Sequence, residues 1–101
     1  MNLTKINQIY EVRKREILEK NKSFPWMIKN LREALGLKLN AVSNYCSISR
    51  HKLYRMETGQ FNCVPSDDRV EKLSELYDIP NHIMRQKLNA YVEKKRSERE
   101  V

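Results

Sequence analysis

The chain has little of what interrupts a helix. Its 101 residues include two glycines and three prolines, too few for a turn-rich sheet protein, and long helices are the expected alternative. Aromatic residues make up 8% of the sequence and charged residues 33%, with a mean hydropathy of −0.78. A 12.1 kDa chain of that composition forms one domain with an economical core. No apolar run approaches the roughly 20 residues that span a bilayer. The opening MNLTKINQIYEVRKR lacks the apolar block of a signal peptide. Cys46 and Cys63 form no CxxC, and His51 and His82 stand far apart in sequence. Free cytoplasmic thiols are expected, with no metal or cofactor. A Gly-rich phosphate loop, paired carboxylates beside a base and a metal cluster are all missing, so an enzyme is not expected.

What the chain has in excess is positive charge. The formal net charge is +7 and the pI about 9.6, which point to a polyanionic partner, nucleic acid first and an anionic membrane surface second. The excess is uneven. Residues 1–24 carry six cations against three acids and 25–64 six against two, whereas 65–90 carry four against five. One basic working face and a neutral supporting part follow from that asymmetry.

Leu3, Ile6, Tyr10 and Ile17 recur at helical spacing, with Arg13 interrupting the stripe, and predict an amphipathic helix over about Thr4–Lys20. Ser23 and Pro25 signal the next helix, which Ile28, Leu31 and Leu35 carry to a stop at Gly36. Short helices are expected over Leu39–Tyr45, with Val42 inward, and over Ser49–Glu57, with Ser49 as N-cap. A helix starting at Ser66 or Asp67 turns Val70, Leu73, Leu76 and Tyr77 inward. Pro80 opens a last helix with the stripe Ile83, Met84, Leu88 and Tyr91, and EKKRSEREV reads as a frayed, solvated end.

Two short helices joined by the three-residue turn "CSI" form a helix-turn-helix pattern. The run LREALGLKLNAVSNYCSISRHKLYRMETGQ, Leu31 to Gln60, resembles the lambda-repressor-like, or Xre-type, family of bacterial and phage DNA-binding domains. Gly36-Leu37, Ser49-Arg50 and Met56-Glu57-Thr58-Gly59 are the matching marks, and the likeness continues more loosely to about Met84. The resemblance implies an all-α fold, a five-helix domain over 25–92. Residues 1–24 have no counterpart in the minimal family domain and add the N-terminal amphipathic helix and linker read from the apolar spacing, and 93–101 form a charged tail. Departures are present. Leu39 stands where the family often has Gln, and the loop from Phe61 to Ser66 is longer. Ser47 replaces the turn Gly and is expected to need a helical or otherwise unstrained backbone.

At about 100° per residue, Ser49, Leu53 and Met56 share one side of the third helix of this domain, with Ile48 just before it. His51, Tyr54, Arg55 and Thr58 lie opposite, flanked by Arg50 and Lys52. With its apolar side docked on the domain, the basic side faces outward and fits a major groove about 12 Å wide. Arg50, His51, Tyr54 and Arg55 are the candidate base contacts. Lys38, Asn40, Ser49, Lys52, Thr58 and Gln60 are the candidate phosphate contacts. Glu57 has the wrong sign for DNA; in the family the matching Glu pairs with an Arg of the first helix, which is Arg32 here. Cys46 reads as a small buried hydrophobe and Cys63 as a loop thiol.

The family usually binds inverted repeats as two-fold dimers. The candidate dimer surfaces are Leu3, Ile6, Tyr10 and Ile17 near one end and Met84, Leu88 and Tyr91 near the other, each able to pack within one monomer instead. The expected function is a DNA-binding regulator, most simply a small cytoplasmic repressor of phage or mobile-element type acting on double-stranded DNA. An antitoxin that represses its own operon while an extra helix covers a toxin is a variant. Either form has room for a protein partner, a toxin or an antirepressor. A protein-interaction module without DNA binding is the alternative from another class.

Overall fold

Phe24, Pro25, Met27, Ile28 and Leu31 are all buried along one helix, α2 (Phe24–Ala34), against which three of the others pack. The computed structural model describes residues 3–60 and 64–99, with side chains over 8–60 and 64–98. Cys63, much of the loop before Ser66, and the side chains of Leu3 and Ile6 lie outside the described residues. Among the described residues there are six helices and no strand: α1 (Leu3–Glu19), α2, α3 (Leu39–Cys46), α4 (Arg50–Thr58), α5 (Asp67–Tyr77) and α6 (Asn81–Arg99). None is long and apolar enough to cross a membrane. Helix α2 packs against α1, α4 and α6, and α3 against α4 and α5.

The N-terminal helix belongs to the same core. Tyr10 and Ile17 are buried in one cluster with Phe24, Leu31, Leu53, Tyr77 and Met84. Arg13 does not break this face, because it is exposed. Lys14 instead occupies the gap between Tyr10 and Ile17, with its side chain 13% exposed. Its ammonium donates to the Asp78 carbonyl at 2.9 Å and carboxylate at 3.2 Å. The Tyr10 hydroxyl donates to the Tyr77 carbonyl at 2.6 Å. Asp78 is the left-handed C-cap of α5, so α1 satisfies carbonyls at the end of α5 and sets a cation against its negative dipole end.

At the other end, α6 continues as helix to Arg99, through the segment whose composition suggests a frayed tail. Its last two turns hold good helix formers, and Lys95 and Glu98 pair three residues apart at 3.9 Å. The exposed residues 93–98 extend a helix already nucleated by the buried Met84 and Leu88, so each added residue bears no nucleation cost.

Buried Cys46 fills a hydrophobic position, and burial pushes its thiol up to about 11. The following residue corrects an expectation. Ser47 adopts φ 55°, ψ 39°, in the left-handed region, rather than a helical backbone. The turn is held by Ile48 N–H donating to the Ser43 carbonyl at 3.2 Å, by Ser43 Oγ donating to the Ile48 carbonyl, and by Arg69 Nε donating to the Ser47 carbonyl at 2.9 Å. Buried Ile48 adds an apolar anchor. These contacts hold an L-residue in a conformation costing about 1–2 kcal/mol. Ser47→Gly is therefore expected to raise stability by about 0.5–1 kcal/mol, the remainder offset by glycine's larger chain entropy. A thermal melt checks it, and a lowered Tm would contradict the strain.

Candidate nucleic-acid interface

The local sequence fixes α4 first. Ser49 has extended backbone angles, and its Oγ accepts from the Lys52 N–H at 3.2 Å, an N-cap that starts the helix at Arg50. Gly59 ends it at φ 74° in the left-handed region, its N–H returning to the Arg55 carbonyl. A Cβ at position 59 would stand 3.0 Å from the Tyr91 hydroxyl, so closeness as well as backbone angle calls for glycine.

Leu53 and Met56 are fully buried, and Glu57 is buried beside them. The opposite side of α4 is open: Arg50, His51, Tyr54, Arg55 and Thr58 are exposed, with Lys52 half-buried. Tyr54 shows 52% of its surface. Three cations and an amphipathic ring therefore share a short convex helix face with no acid on it.

Glu57 is turned away from that face and into a bidentate pair. Arg32 Nε donates to Glu57 Oε2 at 2.8 Å, and Arg32 Nη2 donates to Oε1 at 3.0 Å. Arg32 Nη1 donates further to the Leu37 carbonyl at 2.9 Å. The side chains are 14% and 3% exposed respectively. The bond to Glu57 raises the pKa of Arg32 despite desolvation. One guanidinium thus ties α2 to α4 and to the start of the α2–α3 turn. The Tyr77 hydroxyl is buried with no hydrogen-bond partner among the described residues. Burial first, and the Glu57 charge second, push its ionisation well upward.

The remaining sequence candidates fall in distinct places. Lys38 is the N-cap of α3 without a side-chain cap bond, and both it and Asn40 are exposed. Leu39, where a polar residue is common in the family, packs against the core, which accounts for its apolar character. Gln60 is exposed just past α4. The Thr58 hydroxyl donates back to the Tyr54 carbonyl at 2.9 Å, so a phosphate would compete with that bond.

Tyr10, Ile17, Met84 and Leu88, named as dimer candidates, are packed inside the monomer and are not presented to a second copy. Tyr91 is half-buried, and its hydroxyl donates to the Gly59 carbonyl at 2.7 Å, bracing the end of α4. Periodicity marks Tyr91 only as part of an apolar stripe. The signal for its second role is the phenol, since a buried tyrosine hydroxyl usually seeks an acceptor. Among the described residues, no group of three His, Cys, Asp or Glu is placed to hold a metal ion.

Against known proteins, no curated protein and no solved structure matches this chain. A family model described as "Helix-turn-helix domain" does match, over residues 26–86. That span runs from the first turn of α2 into α6 and contains α3, the turn at Ser47 and α4. The chain belongs to the helix-turn-helix domain family, and with it to the DNA-binding regulators.

Proposed function

We propose that the chain is a sequence-specific transcriptional repressor of phage or mobile-element type, acting on double-stranded DNA in the bacterial cytoplasm. The observation that carries this reading is the outer face of α4, where Arg50, His51, Tyr54 and Arg55 are exposed together while Leu53, Met56 and Glu57 fix the inner side. Arg50 and Arg55 each have the fork of donors that reads guanine O6 and N7, a pairing worth about 1–3 kcal/mol of discrimination. His51 and Tyr54 add base or methyl contacts. Lys38, Asn40, Ser49, Lys52, Thr58 and Gln60 contact phosphates on either side, positioning the helix without reading sequence.

One recognition helix covers only a few base pairs, so two copies bind an inverted repeat with half-sites about one helical turn apart. With Tyr10, Ile17, Met84 and Leu88 occupied in the monomer, the dimer surface is built from residues outside that core.

Selection of bound sequences from random duplex DNA tests the reading. The expected product is a two-fold symmetric motif. Arg50→Ala and Arg55→Ala are each expected to lose one guanine preference and about 1–3 kcal/mol of affinity. Recovery of no motif, with weak binding that vanishes steeply as salt rises, would leave only backbone attraction and end the repressor proposal.

A further inference from the structure

The recognition helix does not use all of the basic surface near its end. Where Tyr91 of α6 meets Gly59 of α4, Tyr91 also lines a groove of about 270 Å³. Its walls carry Lys22, Lys87 and Lys94, and Phe24 and Tyr91 form its apolar part. The Lys87 ammonium donates to Asn21 Oδ1 and to the Lys22 carbonyl. These acceptors are neutral, so the bonds fix the lysine and the linker in place without cancelling charge. Among the described residues, none of the three lysines is in an ion pair. Three uncompensated cations beside an apolar surface focus a positive potential. Ser23, the N-cap of α2, also lines the groove and brings the positive end of a helix dipole to it.

We propose that this groove binds a backbone phosphate of the same duplex that α4 reads, beyond the end of the recognition helix. The inference rests on the DNA-binding reading above. Its ligand is a phosphodiester of double-stranded DNA, and its residues are Lys22, Lys94 and the tethered Lys87. Tyr91, which lines the groove, donates to the Gly59 carbonyl just past α4, and a duplex read by α4 would have to carry its backbone to this end of the helix for the groove to bind it. The linker before α2 and the C-terminal half of α6 thereby extend the footprint past the helix-turn-helix unit.

The test uses the full chain and a duplex carrying the selected motif, with Kd measured across a salt series. The double variant Lys22→Gln/Lys94→Gln removes two of the groove's cations and spares Lys87, which holds the linker. It is expected to bind all sequences more weakly and to lower the slope of log K against log salt by about one for each phosphate no longer neutralised. The selected motif is expected to stay unchanged. Ethylation interference is expected to lose a phosphate signal flanking the motif. Lys29→Gln, an exposed position on α2 outside the groove and in no ion pair among the described residues, controls for charge alone and leaves the slope unchanged. If the double variant matches wild type in slope, affinity and ethylation pattern while wild type selects its motif, the groove proposal is wrong and the repressor reading stands. If Lys29→Gln lowers the slope by as much per charge removed, the effect is general charge and the groove proposal is again wrong. A wild-type chain that selects no motif overturns both.

Discussion

Arg32→Met is expected to destabilise the protein by about 3–5 kcal/mol, because it strands Glu57 in the core without a partner. Glu57 is the more buried member of the pair, its side chain 3% exposed, and the removed guanidinium supplies both of its hydrogen bonds at 2.8 and 3.0 Å. The Leu37 carbonyl loses its bond to Arg32 in the same step. Glu57→Gln is expected to cost less, since Arg32 is the more exposed partner, retains Leu37, and can still donate to the amide oxygen. Arg32→Lys is expected to rescue only part of the loss, because one ammonium cannot reproduce a planar fork that serves two carboxylate oxygens and a carbonyl. For a domain of this size, each kcal/mol shifts Tm by roughly 4–8 °C, so Arg32→Met is readily seen in a thermal melt. A Tm close to that of wild type would show that the pair contributes little and that packing alone orients α4.

Tyr10→Ala is expected to cost about 3–5 kcal/mol and to lower a single cooperative transition. Tyr10 and Tyr77 are 67 positions apart in sequence, yet the Tyr10 hydroxyl serves the Tyr77 carbonyl, and Tyr10 is 7% exposed within the common core. Removing it opens a cavity between α1 and the rest and leaves a carbonyl at the end of α5 without its donor. Tyr10→Phe keeps the ring and loses only the hydroxyl, with an expected cost of about 1 kcal/mol. Trp26, the chain's one tryptophan, sits on α2 against the core and reports the transition by fluorescence. Two separate transitions, or an unchanged Tm in Tyr10→Ala, would make α1 an appendage to an independently stable helix-turn-helix unit.

Arg32 and Tyr10 differ in how far the amino-acid sequence reveals their roles. Leu53, Met56 and the Ser49 cap are local features, and by themselves they define α4 and its outward face. Glu57 stands out because its sign conflicts with a DNA-facing surface, and the family resemblance supplies Arg32. What is illegible depends on partners distant in sequence. Periodicity marks Arg13 as the break in the α1 stripe, and nothing local says that Lys14 fills the face by burying its stem and capping α5. Serine disfavours the left-handed region, which argues for a relaxed Ser47; the turn imposes that conformation through Ser43, Ile48 and Arg69 regardless of residue type. The end of α6 lacks an apolar stripe and so reads as frayed, although its residues favour helix and extend one already nucleated by Met84 and Leu88.

Methylation of guanine N7 in the selected duplex tests most directly whether the outer face of α4 reads bases in the major groove. Methyl groups at particular guanines within each half-site should block binding, and Arg50→Ala and Arg55→Ala should each lose sensitivity at one of them. Binding that tolerates N7 methylation throughout the site, with unchanged salt dependence, would contradict base reading by α4.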